Sequence, residues 1–361
     1  MSRPTYMKID LAALKHNLER VRALAYGRSI IAMVKANAYG HGIARVAHAL
    51  PMTDTDALGV ASLEEGLLLR DAGMTQPIVL MEGVFHPDEV AEAAKHQFTL
   101  VVHHKPHVEI LEKAKVDKPF SVWLKINTGM NRLGIDPAQC NPLYQRLLSA
   151  PAVKKPIGLM THFAEADLTD SAATERQLEL FNQVTVNYVG PRSLANSAAI
   201  LAWPAAHGDW VRPGLMLYGA SPFTGKSGQD HQLLPVMTLW SRLIAITHVK
   251  KGSKIGYGGT WQAPEDMLIG VVGVGYGDGY PQFASSGTPV LVNGIECPLA
   301  GRVSMDMLTV DLRKQPLANR GDPVILWGEG LPVERIAAFS KTSAYDILTR
   351  MTPRPKIEVA S

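Results

Sequence analysis

SIIAMVK, residues 29–35, is apolar except at its ends and rich in β-branched side chains, the pattern of a short strand buried on both faces of a parallel sheet. Runs of the same kind recur as ALGVAS (57–62), PIVLME (77–82), FTLVVH (98–103), FSVWLKIN (120–127), IGLMTHFA (157–164), RSLANS (192–197) and VRPGLMLYG (211–219). Between them lie helical patterns, among them SLEEGLLLRDAG (62–73), PDEVAEAA (87–94), PHVEILEKA (106–114) and TERQLELFNQVTV (174–186). Eight such alternations over roughly 220 residues predict a (β/α)8 TIM barrel, with its chemistry where strands give way to loops, and leave an open doubly wound sheet as the alternative.

Before the first run, LAALKHNLERVRAL has helical spacing and Asp10 is placed to cap it, which predicts a helix over 11–24. Beyond residue 232 the pattern changes to strand-like stretches separated by Gly and Pro turns, such as VMTLWSRLIAITHV, MLIGVVGVGYG and DPVILWG. The expected organisation is therefore a barrel over 1–231 and a C-terminal β-strand-rich domain over 232–361, joined by the polar link FTGKSGQDHQ (223–232) and ending in a helical pair, VERIAAFS and TSAYDILT. The chain has 361 residues, 36 Lys+Arg against 33 Asp+Glu, and two distant cysteines, Cys140 and Cys297. That balance argues against a nucleic-acid partner, and the cysteine spacing against a disulfide framework or a zinc knuckle. The N-terminus alternates charged and apolar residues, unlike an export signal, and no apolar run is long enough to span a membrane. A cytoplasmic location is expected.

Two stretches carry chemistry. In AMVKANAYGHG (32–42), Lys35 ends a buried strand before a Gly-bearing loop. Desolvation there lowers an amine's pKa, as a Schiff-base lysine requires, although on position alone the side chain could equally snorkel to solvent. VRPG (211–214) and ANSAA (195–199) end the eighth and seventh runs, where barrels often bind phosphate. The amides of Gly214 and Leu215, with the Ser197 hydroxyl, could cradle a phosphate dianion. A lysine on one strand and such a cradle across the mouth suit pyridoxal phosphate.

An ordered set of motifs then spans the chain: AMVKANAYGHG, WLKINTGMNRLG (123–134), MTHFAEAD (160–167), ANSAA, DWVRPGLMLYG (209–219), GYGGTW (256–261), GYGDGYP (275–281) and GRVSMDM (301–307). Through these motifs the chain resembles alanine racemase, a pyridoxal 5'-phosphate enzyme with a barrel and a C-terminal β-domain. The resemblance implies that Lys35 binds the cofactor covalently and that Tyr39, Ser197, Gly214, Leu215 and Tyr345 approach its phosphate. It places Arg212 against the pyridine nitrogen, where a guanidinium, with a pKa above about 12, withholds its proton and keeps the electron sink weak. A weak sink suits racemisation better than aminotransfer.

Inversion at Cα calls for a proton acceptor on one face and a donor on the other. By the resemblance these are Lys35 and Tyr257, the latter polarised by His162, which in turn is linked to Arg212. The resemblance further implies a homodimer in which Tyr257, Tyr276, Met305 and Asp306 complete the partner subunit's site. Arg132 and the Met305 amide then hold the carboxylate of L- or D-alanine, and Lys125 is carbamylated so that it can pair with Arg132. Gln282 and Ser304 depart from common family patterns, and Tyr345 aligns least firmly. No metal is expected; His103, His104 and His107 read as solvated loop residues because no carboxylate cluster accompanies them. The rival readings are a racemase of broader specificity and a decarboxylase of the same architecture, which would be expected to carry a cysteine near position 304 and a carboxylate at position 212. A single-domain cofactor carrier is the non-enzyme rival, and it would lack the second domain. The reaction would supply D-alanine for peptidoglycan or act in D-alanine breakdown.

Overall fold

The computed structural model describes residues 3–51 and 55–360. Eight parallel strands close into a barrel: Ser29–Met33, Ala57–Val60, Ile78–Leu80, Thr99–Val102, Val122–Lys125, Gly158–Met160, Arg192–Ser193 and Trp210–Val211. The last strand pairs with the first, Ser29 opposite Trp210 and Ile30 opposite Val211. The continuous apolar runs follow from this closure, since every strand is covered by helices outside and side chains within. Seven of the runs predicted from sequence hold a whole barrel strand and are longer than it, while the eighth, 211–219, shares only Val211 with the strand Trp210–Val211. The residues beyond them turn instead into the loops that build the mouth. Ser197 thus starts the helix Ser197–Ala202, whose cap is the Asn196 side chain accepting from Ala199 N–H at 3.0 Å. Leu215–Tyr218 forms a 3-10 turn.

Asp10 caps Leu11–Leu24 as expected, its Oδ1 accepting from Ala13 N–H at 2.9 Å. The strand just before it was not expected. Tyr6–Asp10 lies in the sequence segment assigned to the barrel, yet it pairs antiparallel with Met237–Val249 and parallel with Lys356–Ala360. The chain therefore begins in the C-terminal sheet and crosses into the barrel at Asp10. Met237–Val249 is the spine of that eight-stranded sheet, also pairing with Met267–Val272 and Pro323–Trp327. A small hairpin, Lys254–Ile255 with Trp261–Gln262, carries the loop that bears Tyr257.

The final helical pair is present as Val333–Phe339 and Ala344–Thr349. Glu334 accepts from Ser221 N–H at 2.6 Å and Gly228 N–H at 2.8 Å, so it ties the link between the two parts to the first of these helices. No helix among the described residues is long and apolar enough to cross a membrane.

Candidate active site

A cavity of about 600 Å³ opens where the barrel strands end. Lys35 reaches it from an unexpected conformation. The first strand stops at Met33, and Lys35 begins a turn in which Ala36, Asn37, Ala38 and Tyr39 all have φ between 52° and 54°. Four consecutive left-handed residues without glycine cost roughly 1–2 kcal/mol each. The turn is held by Asn37 Oδ1, which accepts from Ile43 N–H at 2.9 Å, and by Glu65, which accepts from Ala36 N–H at 2.6 Å. It delivers both the Lys35 amine and the Tyr39 phenol to the same cavity.

Burial lowers the Lys35 pKa, and Arg132 and Arg212 lower it further, while Glu82 and Glu65 oppose them. Lys125, at the end of the fifth strand and only 6% exposed, is pushed down to about 8 by burial, Arg212, Arg132 and Lys35. Arg212 is fully enclosed and lowered by burial to about 10, so it remains charged at neutral pH. Its Nη1 donates to Ser193 Oγ at 2.7 Å, and its Nη2 to the carbonyls of Thr161 at 2.6 Å and Leu194 at 3.1 Å. Nη2 also faces His162 Nδ1 at 3.2 Å. A guanidinium only donates, so Nδ1 is the acceptor and the ring proton sits on Nε2. Burial and the nearby cations hold His162 well below the usual imidazole range, hence neutral.

Across the cavity, Ser197 Oγ accepts from Gly214 N–H at 2.9 Å and Met216 N–H at 3.3 Å. A Cβ on Gly214 would collide with the Tyr39 hydroxyl, so the close approach of these groups requires glycine. Tyr39 stacks on Tyr218, which donates to the Met33 carbonyl at 2.8 Å, and Tyr345 from the last helix tilts over Tyr39 at 6.0 Å. Hydroxyls, amides and four cations facing one enclosed space form a donor set for a phosphate and a carboxylate. A reactive amine among them matches an aldehyde cofactor.

Lys35, Tyr39, Lys125, Arg132, His162, Ser197, Arg212, Gly214, Leu215 and Tyr345 therefore share one cavity. Glu82 was missed, although it ends the third apolar run, where barrel chemistry gathers; it is the one carboxylate lining this cavity among the described residues. Tyr257, Tyr276, Met305 and Asp306 do not line it. They lie on the β-domain, with Tyr257 71% exposed and Arg302 beside the glycines that flank it. Tyr276 N–H donates to the Ser304 carbonyl at 3.1 Å, and Asp306 pairs with Arg354 at 2.7 Å, so these loops form one face. The histidines expected to be solvated are not all so: His104 is exposed, but His103 is half-buried and His107 buried.

Residues 9–222 match the sequence profile described as "Alanine racemase, N-terminal domain", and residues 236–359 the profile described as "Alanine racemase, C-terminal domain". The chain is 51% identical over 347 residues to the biosynthetic alanine racemase of Escherichia coli K12, covering 96% of each. Among solved structures, the biosynthetic alanine racemase of Pseudomonas aeruginosa superposes with a TM-score of 0.97 at 44% identity, covering all of both chains. The alanine racemase of Acinetobacter baumannii superposes at 0.93 with 39% identity, over 99% of this chain and all of that one. On these matches and this architecture, the chain belongs to the alanine racemase family, whose members depend on pyridoxal phosphate, and it interconverts L- and D-alanine.

Proposed function

We propose that the barrel cavity binds pyridoxal 5'-phosphate through Lys35, and that the proton of the substrate Cα is moved by Lys35 on one face and by Tyr257 of the partner subunit on the other. When bound, the cofactor withdraws the electron pair left at Cα as its proton departs. The observation that carries the reading is the convergence of a desolvated lysine, four cations and the Ser197–Gly214 cradle in one cavity, while Tyr257 stands exposed outside it. A homodimer with shared sites accounts for both.

Each residue then has a separable task. Tyr39, Ser197, Leu215, Gly214 and Tyr345 hold the phosphate by hydroxyl and amide donors. Arg212 presents a donor that keeps its proton, so a ring nitrogen facing it stays unprotonated. His162, with its proton on Nε2, donates toward the phenol that serves as second base. Arg132 and the Met305 amide orient the alanine carboxylate, and Tyr276 and Asp306 shape the approach to it. The Lys125 ammonium first gives one proton to solvent; the neutral amine then attacks CO2, an N–C bond forms as a C=O π pair moves onto oxygen, and a second proton leaves, so +1 becomes −1 beside Arg132. The description of the E. coli relative as biosynthetic favours supply of D-alanine over its breakdown.

Replacing Lys35 with Ala should abolish both the cofactor's visible absorbance and turnover. Replacing Tyr257 with Phe should keep the absorbance and slow racemisation in both directions by about 10²–10⁴-fold, the usual loss of a positioned acid–base group. Full activity in the Tyr257→Phe variant would remove the two-base assignment.

A further inference from the structure

The loop after the fourth barrel strand carries three histidines that the reaction does not use. His103 follows Thr99–Val102, His104 precedes the helix Lys105–Lys113 without a capping bond from its side chain, and His107 lies in that helix's first turn. In the folded chain they converge: one ring nitrogen from each lies within 4.8 Å of the others, and they are the one such group of three ligating side chains among the described residues. The ring centroids are 4.7 Å apart for His103 and His104, 4.5 Å for His103 and His107, and 3.9 Å for His104 and His107.

Two features distinguish this cluster from ordinary packing. His107 is only 4% exposed, and its Nδ1 is buried with no hydrogen bond of full geometry, the Val84 and Val101 carbonyls lying near the ring. His103 Nε2 meets the Glu82 carbonyl at 3.0 Å. A carbonyl only accepts, so the proton sits on Nε2 and Nδ1 keeps its lone pair. That is the support a ligating imidazole receives when a backbone carbonyl fixes its tautomer. Gly83 packs against the His107 ring where a Cβ would sit 2.8 Å from Cε1, so the preceding loop closes on the cluster without a side chain between them.

We propose that His103, His104 and His107 bind one divalent transition-metal ion of the zinc class, with the remaining coordination position open to solvent on the His104 side. Neutral imidazoles without carboxylates suit zinc, nickel or copper and do not suit calcium or magnesium. On a tetrahedral ion with bonds of about 2.1 Å the ligand nitrogens lie roughly 3.4 Å apart, so all three rings draw in from a spread of up to 4.8 Å when the ion binds. Two effects weaken the site. Lys125 acts on His103 through space, and the helix N-terminus is the positive end of its dipole. The triad has no negative charge to offset them, so the ion held here exchanges readily rather than being a permanent structural metal. The site backs onto the catalytic cavity through Glu82, whose carbonyl supports His103 while its side chain lines the cavity.

Untagged holoenzyme tests this by equilibrium dialysis against Zn²⁺ and by the visible absorption of added Co²⁺, each read as the difference between wild type and variant. One ion per chain is expected, with the dissociation constant raised at least about tenfold in both His104→Gln and His103→Gln, tenfold being the lower end of what losing even an outer support costs a metal site. The Co²⁺ bands should disappear in the same variants while the cofactor absorbance stays. His104 is exposed, so its variant folds and keeps the comparison valid. Uptake equal in wild type and both variants would place the ion elsewhere and overturn the proposal, as would the absence of stoichiometric uptake.

Discussion

Lys35 and Lys125 are two amines in one cavity whose surroundings treat them differently. Lys35 has Glu82 and Glu65 to offset Arg132 and Arg212, whereas Lys125 meets Arg212, Arg132 and Lys35 with Glu82 alone in opposition. With its pKa pushed down to about 8, an appreciable fraction of Lys125 is the neutral amine near neutrality, the form that reacts with CO2. Protein equilibrated with ¹³C-bicarbonate is therefore expected to show a carbamate carbon signal that is absent from Lys125→Ala. The signal should fade as pH falls below about 8, because protonation removes the nucleophile. A spectrum identical in wild type and variant would leave Lys125 a bare cation. Sequence position alone picks out Lys35 at the end of its run, but nothing local indicates that Arg212, just past the last barrel strand, acts on both Lys35 and Lys125.

At the scale of elements, the left-handed turn Lys35–Tyr39 and the Gly214 cradle depend on each other. A methyl group at Gly214 would drive into the Tyr39 hydroxyl, and Tyr39 has little room to yield because it is stacked on Tyr218. Gly214→Ala should fold normally and weaken cofactor retention on dialysis by about 1–3 kcal/mol, the usual cost of overpacking; unchanged retention would show the cradle to be slack. His41 closes the same turn, with Nδ1 donating to the carbonyls of Tyr39 at 2.8 Å and Ala38 at 3.0 Å. Burial lowers its pKa to about 4, against about 6.5 in an unfolded chain. Between these values the unfolded state binds more protons, so its contribution to stability is complete above pH 6.5 and is lost as pH falls toward 4. The urea midpoint should drop over that window, and His41→Gln should flatten the slope. An equal slope in wild type and variant would assign the loss to other groups.

Helical periodicity made Leu11–Leu24, Leu63–Asp71 and Ala173–Thr185 legible, and continuous apolar runs located all eight barrel strands. The left-handed turn was not legible. Its sequence, KANAY, has no glycine to announce positive φ, and the conformation is held by Glu65 and Asn37 contacts that periodicity does not encode.

Over the whole molecule, the least legible feature is the strand Tyr6–Asp10. Its alternation of Tyr, Met, Lys, Ile and Asp is visible, yet its partners lie more than 200 residues away. The result is a chain whose first strand ties the β-domain to the barrel, and whose last helix, Ala344–Thr349, brings Tyr345 over the cavity. Tyr257 stands exposed on the β-domain, and neither it nor Tyr276, Met305 or Asp306 lines the cavity of its own chain. A two-fold dimer exchanges such faces symmetrically, so each site would draw its lysine from one chain and its phenol from the other.

Co-expression of the Lys35→Ala and Tyr257→Phe chains measures this directly. A mixed dimer pairs an intact Lys35 from one chain with an intact Tyr257 from the other at one of its two sites, so random assembly should restore about a quarter of wild-type racemisation from two nearly inactive parents. Activity that stays at the level of the parents, with mixed dimers demonstrably formed, would contradict a site shared between subunits.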